Sequence, residues 1–249
     1  MEKDELIKKR LIELSNMADK KGIVTFSDFL DMNGQNLFSQ IKNDLYTKYN
    51  IYGGYEQAER QIVAFIPDAL YYAWNYPINY IEIEPLSEKF SEKLSHRDVL
   101  GALMNLGIER SKLGDIIMDE KKAYVICLDN MSDFICESLY KIRHTTMKAT
   151  VKPIESFSYE PKLVPKEGVI ASNRLDCIVA FAFGIGRSDA VNLIQAAKVF
   201  VNAKLVTSNA YFCKPNDFIS VRGHGKLQYE DILNETKKGR ARVRIYIYS

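Results

Sequence analysis

The side chains best placed for chemistry in this sequence are cationic and aromatic, and their spacing suits holding a phosphate, not breaking a bond. Arg174 and Arg187 each stand at the start of an apolar-periodic stretch, where a guanidinium offers a planar pair of donors. Near the end of the chain, a period of two puts Arg240, Arg242, Arg244, Tyr246 and Tyr248 on one strand face beside Lys237 and Lys238, with Ala241, Val243, Ile245 and Ile247 on the other. Three guanidiniums and two rings on one face suit phosphates and unstacked bases. The competing readings are plain ones. Arg174 and Arg187 could form helix-end ion pairs with Asp176 or Asp189, and the arginine strand could be a solvated edge that resists aggregation.

No catalytic constellation is visible. His96-Arg97-Asp98 resembles a kinase catalytic loop, but Leu103 stands where that pattern needs Asn, so Ser95 and Asp98 are expected to form a capping box at a helix start. Gly184-Ile185-Gly186 has Asp189 at the third glycine position of a nucleotide loop, and no strand precedes it. Gly53-Gly54 followed by Arg60 could turn backbone N–H groups toward a phosphate; the simpler reading is a hairpin or bulge with Arg60 paired to Glu56 or Glu59. Cys127, Cys136, Cys177 and Cys213 form no C-x-x-C pair, and His96, His144 and His224 are equally scattered. We expect free thiols in a reducing cytosol, with no metal and no cofactor.

The elements that must carry the C-terminal cations can be read from residue 172 onward. A helix N-cap at Ser172-Asn173 and an early Asp176 lead into Leu175, Ile178, Val179 and Ala182; then Arg187-Ser188-Asp189-Ala190 opens a second stripe of Val191, Leu193, Ile194 and Ala197, reaching Lys198. Val199 to Val206 alternates like a strand and turns at Asn202, and Phe218 to Val221 is a second strand. The order is helix, helix, strand, strand. R-L-D, then R-S-x-A, K-V-x-V-N and x-D-x-I-x-V-R-G-x-G in that order resemble the S4 RNA-binding domain, matched at Arg174, Leu175, Asp176, Arg187, Ser188, Ala190, Ile194, Val199, Val201, Asn202, Asp217, Ile219, Val221, Arg222 and Gly223. The chain departs at three turn positions, where Gly186, Ala197 and Asn216 replace Ser, Gly and Gly of the pattern. With Gly53-Gly54-Tyr55-Glu56, Leu94 to Asp98 and the tail Asn234 to Arg240, the whole chain is similar to the bacterial YlmH family of S4-domain proteins. That resemblance implies RNA contact through Arg174, Arg187, Ser188, Lys198, Asn202, Lys204, Arg222, Lys237, Lys238, Arg240, Arg242 and Arg244.

Charge is distributed accordingly. The net charge is only +2 over 249 residues, but residues 161–249 carry 14 Lys/Arg against 7 Asp/Glu, and residues 1–160 carry 20 against 25. A polyanion would bind the last third. Tyr159 to Gly168, with Pro161 and Pro165, is expected to be a linker, and Leu227 to Leu233 with Arg240 to Tyr248 an antiparallel hairpin turning at Lys237-Lys238-Gly239.

Upstream, residues 2–20 read as an amphipathic helix with Leu6, Ile7, Leu11, Leu14 and Met17 on one face, followed by a helix at 36–45 and two strands at 50–55 and 61–67. The aromatic run Tyr71, Tyr72, Trp74, Tyr76, Tyr80 is expected in the core. Residues 78–154 read β-α-β-β-α-β, the split βαβ order of ferredoxin-like folds and RRM-type RNA binders, although Ala123-Tyr124-Val125 is the only match to the RRM central strand. The fold class expected is α+β: an N-terminal α/β domain at 1–77, a ferredoxin-like domain at 78–158 that the resemblance makes RNA-binding, and an S4 domain with a hairpin at 168–249.

The function expected is that of a cytoplasmic, monomeric, non-catalytic RNA-binding protein with no signal peptide or membrane span. The resemblance implies ribosomal RNA, tRNA and the large ribosomal subunit as partners, in rescue of stalled translation. The alternatives are an S4-bearing RNA-modifying enzyme of the pseudouridine synthase or methyltransferase type, and a scaffold linked to cell division.

Overall fold

The computed structural model describes residues 2–87, 89, 91–236 and 239–248, and the chain divides into two compact units, Met1–Tyr159 and Glu160–Ser249.

In the first unit, α1 (Glu2–Lys21) contributes Leu11, Leu14 and Ala18 to a core shared with Phe38 of α2 (Met32–Ile41) and with Val63 and Phe65 of β3 (Ile62–Ile66). Strands β1 (Thr25–Phe26) and β2 (Lys48–Tyr52) flank β3 in a three-stranded antiparallel sheet. The helix expected at 36–45 begins at Met32 instead, because Asp31 caps it by accepting the Gly34 N–H at 2.8 Å.

The order β4 (Ile78–Pro85), α3 (His96–Asn105), β5 (Leu113–Asp119), β6 (Lys122–Leu128), α4 (Asp129–Ser138), β7 (Lys141–Ile142), β8 (Thr145–Pro153) follows, the β-α-β-β-α-β order expected with the short β7 added. The sheet runs β5-β6-β4-β8-β7, antiparallel throughout, so each β-α-β crossover steps over one intervening strand. Ile81, Ile83, Val125 and Cys127 pack with Val99, Leu103 and Ile135 of the helices on one face. On the other, Ile78, Tyr80, Ile126 and Leu128 meet Phe29, Ile62 and Ile154. Ser95 and Asp98 form the expected capping box of α3.

The Gly53-Gly54…Arg60 segment does meet an anion, but the anion is the chain's own. Asp115 accepts the Glu59 N–H at 2.7 Å, the Arg60 N–H at 3.0 Å and the Tyr55 hydroxyl at 2.7 Å. The Arg60 guanidinium donates to the carbonyls of Leu113, Phe29 and Arg110, not to Glu56 or Glu59 as expected, since burial beside the loop places those carbonyls around it. Gly53 is required here, because a Cβ would sit 2.3 Å from the Arg60 carbonyl oxygen. Segments 1–77 and 78–158 therefore share one compact unit. The aromatic run splits: Trp74 and Tyr76 stack about Phe26 and Tyr80 is buried, whereas Tyr71 is 94% exposed.

The second unit is built on a six-stranded antiparallel sheet. Its elements are β9 (Leu163–Ile170), α5 (Leu175–Phe183), α6 (Arg187–Gln195), β10 (Val199–Val201), β11 (Lys204–Leu205), β12 (Phe218–Val221), β13 (Gly225–Glu235) and β14 (Ala241–Tyr248), with strand order β11-β10-β12-β13-β14-β9. Leu175, Ile178, Val179, Ala190 and Ile194 of the helices close over Val199, Ile219, Leu227, Tyr229, Val243 and Ile245. The expected linker is in large part β9, paired with β14 from Leu163↔Tyr248 to Ile170↔Ala241. Pro165 is tolerated because β9 is an edge strand with one neighbour. By the same pairing β14 lies inside the sheet, so the reading of it as a protective edge does not hold.

Two of the departing turn positions keep the geometry that glycine would give. Ala197 and Asn216 have φ of 57° and 67°, the left-handed region. No single helix among the described residues is long and apolar enough to cross a membrane.

Candidate nucleic-acid interface

The start of α5 and the start of α6 meet at one buried carboxylate. Asp176, 1% exposed, accepts Arg174 Nε at 3.1 Å and Nη2 at 3.2 Å, Arg187 Nε at 2.9 Å and the Cys177 N–H at 3.1 Å. Burial alone would raise this carboxyl; the hydrogen bonds and charges of Arg187 and Arg174 outweigh it and hold the group below the usual range. Ion pairing of Arg174 with Asp176, set out above as the competing reading, is therefore present, and Arg187 joins the same acid instead of Asp189. Pairing does not use up the cations. Arg187 remains 54% exposed at the helix start with Ser188 exposed beside it, and two guanidiniums on one carboxylate leave a net positive charge.

Lys198 and Arg222 come together where β10 pairs with β12, the Arg222 N–H donating to the Lys198 carbonyl at 2.9 Å. The Arg222 guanidinium lies 5.2 Å from the Phe200 ring centroid. Asn202 was expected as an RNA contact, but its amide is engaged within the fold. It donates to Asp217 at 2.8 Å and accepts the Phe218 N–H at 2.9 Å. With φ of 50° and 62°, Asn202 and Ala203 form the tight turn between β10 and β11, leaving Lys204 exposed just beyond it.

The hairpin face differs from expectation in its charge. Ala241, Val243 and Ile245 are buried and the arginines face away from them, as the alternation requires. Yet Arg242 and Arg244 both reach Glu167 of β9, at 3.1 and 2.8 Å, and Arg244 also pairs with Glu230 at 3.2 Å. The hydrogen bond from Arg244 is the main reason that the Glu167 carboxyl is held low. The face is therefore partly neutralised by acids from the neighbouring strands, a pairing hidden from the sequence while 159–168 was read as a linker. Arg240 is exposed next to the turn, and Lys237 and Lys238 lie outside the described residues.

Alternation along β13 carries a cation that the sequence reading missed. Lys226 sits 5.6 Å from the Phe218 ring and 5.1 Å from the Tyr248 ring. Its signal was the polar phase Lys226, Gln228 opposite Leu227 and Tyr229.

In the first unit, the sheet face away from α3 and α4 carries Tyr80, Tyr124 and Phe157 in ring contact at 4.8 to 6.3 Å. Tyr80 is buried, so it offers no free face to a base. Further along, Glu82 takes Lys122 at 3.0 Å and Lys152 at 2.6 Å, and Lys122 also takes Glu84. Lys122 and Lys152 are thus tied to acids on the same sheet. Burial pushes the Cys127 thiol up to about 12, which keeps it protonated and unreactive.

Three comparisons bear on identity. Residues 73–156 match a family model described as "Putative RNA-binding domain in YlmH". Ribosome-associated protein quality control protein P2 of Bacillus subtilis is 26% identical over 241 residues, covering 93% of this chain and 90% of that protein. A solved structure described as cell division protein ylmH from Streptococcus pneumoniae superposes with a TM-score of 0.50 at 23% identity, covering 63% of this chain and 95% of the other, which is a likeness of fold. The chain is thus similar to YlmH proteins in sequence over residues 73–156 and in fold, and to the Bacillus subtilis protein along nearly all its length.

Proposed function

We propose that this is a non-catalytic RNA-binding protein whose second unit is an S4-type module docking on structured RNA, ribosomal RNA or tRNA of the large subunit, in ribosome-associated quality control. The observation that carries the reading is the pair Arg174 and Arg187, held on buried Asp176 with Arg187 and Ser188 left facing solvent. A fixed guanidinium pair loses little side-chain freedom on meeting a phosphate, and such a pair reads backbone shape more than sequence. The Bacillus subtilis relative, matched over 90% of its length, bears the name that suggests the ribosome as partner. A monomer in the cytoplasm, with no catalytic step and no cofactor, suits this role.

A second RNA contact in the first unit is favoured by the family match over residues 73–156. There the split βαβ sheet is of the ferredoxin-like, RRM-related kind, and it assists the second unit without replacing it.

Crosslinking the full chain to RNA in cells and sequencing the bound fragments tests the proposal. Recovery of large-subunit ribosomal RNA or tRNA, with crosslinks mapping to residues 160–249, is the expected result. Crosslinks confined to residues 1–159, or recovery of messenger RNA alone, would overturn it.

A further inference from the structure

A cavity of about 590 Å³ opens in the first unit between α1, the segment 26–31 leading into α2, and the turn 110–112. Its lining contains five cationic side chains, Lys3, Arg10, Arg60, Arg110 and Lys112, against two carboxylates, Asp28 and Asp31. That excess stands out because residues 1–160 as a whole carry 20 Lys/Arg against 25 Asp/Glu. Asp28 is already taken by Lys112, at 2.8 and 2.9 Å, and Asp31 caps α2. The floor is apolar, with Leu14, Phe26, Phe29 and Leu30, and Leu6, 62% exposed on α1, lies on it.

The two guanidiniums are fixed by carbonyls. Arg60 gives Nε and Nη2 to Leu113, Phe29 and Arg110, and Arg110 gives Nη1 to Leu113 and Gly114 at 2.8 and 2.9 Å. Each guanidinium has five N–H donors, so Nη1 of Arg60 and both Nε and Nη2 of Arg110 retain donors beyond these bonds. Two like charges lie side by side here, and Asp115, Glu59 and Asp31 offset part of their repulsion. Burial first, and the Arg60 charge second, bring Arg110 down to about 10.

From this geometry we infer that the cavity is a binding site for a 5′-phosphorylated nucleotide, with the phosphate on the Arg60, Arg110 and Arg10 donors and the base against the half-buried Phe26 ring and exposed Leu6. The volume falls within the range of about 300 to 1,000 Å³ typical of small-molecule sites. Planar guanidinium forks match phosphate oxygens, and the accessible part of the Phe26 ring supplies an apolar surface for any base. The inference is independent of the RNA surface on the second unit. The ligand can be a free mononucleotide or the 5′ end of an RNA, which share this chemistry.

Calorimetric titration of the full chain with AMP, adenosine and inorganic phosphate tests the site. AMP is expected to bind one per chain, at least about tenfold tighter than either fragment, the loss that one charge-assisted contact implies. The double variant Lys3→Glu, Arg10→Glu changes two exposed residues of α1 and should weaken AMP by about tenfold or more while the fold, read by circular dichroism, is unchanged. Arg110→Gln should do the same where it folds. Competition by a 5′-phosphorylated trinucleotide, equal to AMP, assigns the RNA end; failure of that trinucleotide to compete assigns the free nucleotide. No AMP binding, equal binding of adenosine, an unaffected double variant, or displacement of AMP by decanoate at equal concentration would each overturn the proposal. None of these results bears on RNA binding by residues 160–249, which filter binding of the same variants reads separately.

Discussion

Two regions of this chain combine cations with aromatic rings, and they use acids in opposite ways. On the middle sheet, Glu82 takes Lys122 and Lys152 out of play at 3.0 and 2.6 Å, and the nearest rings are buried or packed on one another. At the helix starts of the second unit, Asp176 is the buried member and its two arginines lie outside it. On the sheet two acids, Glu82 and Glu84, meet two lysines and the patch is neutral, whereas at the helix starts one acid meets two arginines and a positive charge remains. The difference teaches that the charge of a whole region does not locate a phosphate site; the local balance of cations and acids does.

The largest expected effect comes from separating the two units. The fragment 160–249 should keep structured-RNA affinity within about threefold of the full chain, and 1–159 should bind at least about 100-fold more weakly, because counterion release scales with the phosphates neutralised. The cut belongs at 160 and not later, since β9 starts at Leu163 and supplies Glu167. Filter binding at two salt concentrations decides this, and equal affinities would erase the contrast between the regions.

Next is Asp176→Asn. If only net charge mattered, removing an acid would tighten RNA binding. If Asp176 positions the arginines, affinity should fall about tenfold, and the unit should lose about 2 kcal/mol as a buried charge pair is broken. The matching change Glu82→Gln frees Lys152, with Lys122 still on Glu84, and should leave RNA affinity equal or slightly higher. The pH dependence has a definite sign. Because the folded Asp176 carboxyl is held low, its contribution to stability is complete above the ordinary carboxylate range and is lost as pH falls through the lowered value. Acid titration followed by circular dichroism should show that step in the wild type and not in Asp176→Asn. Arg187→Ala should also lower the melting temperature, because it takes a partner from a buried acid.

A smaller effect is expected at the hairpin. Arg240→Glu, on an exposed residue by the turn, should cost about threefold in affinity with no change in stability. Reversing Arg242 and Arg244 as well should lower the melting temperature, since Glu167 and Glu230 would then face new acids across the sheet. Triple-variant stability equal to that of Arg240→Glu would show that the Glu167 pairing contributes nothing.

What was legible in the sequence follows from what periodicity can encode. The strands and helices from β4 to β8 could be read because each buries a face under α3 and α4, and the period of that face is written in Ile81, Ile83, Val125 and Cys127. The buried phase of β14 could be read for the same reason. Its neighbours could not, because strand pairing is long-range and Pro165 in β9 imitates a linker. The start of α2 was misplaced because Met32-Asn33-Gly34 carries no apolar rhythm, and only the Asp31 cap marks it. For the candidate site, residue types were legible and partners were not: Arg174 and Arg187 could be singled out, while their meeting on Asp176 depends on how α5 packs against α6.

The smallest effect tests whether the two units are as separate energetically as they are in charge. Ala197 occupies the left-handed region at φ 57° between α6 and β10, where a Cβ is strained and glycine is not. The turn is nonetheless formed, with the Ala197 N–H on the Ile194 carbonyl at 3.1 Å and the Lys198 N–H on that of Leu193 at 3.1 Å, so the strain is borne by the surrounding packing. Ala197→Gly should therefore stabilise the second unit by about 1 kcal/mol, the cost of a left-handed non-glycine residue less some added freedom in the unfolded chain. In a calorimetric scan of the full chain, the transition of 160–249 should move up and that of 1–159 should stay where it is. Movement of both transitions together would mean that the units unfold as one, and the contrast drawn between them would then be one of surface chemistry alone.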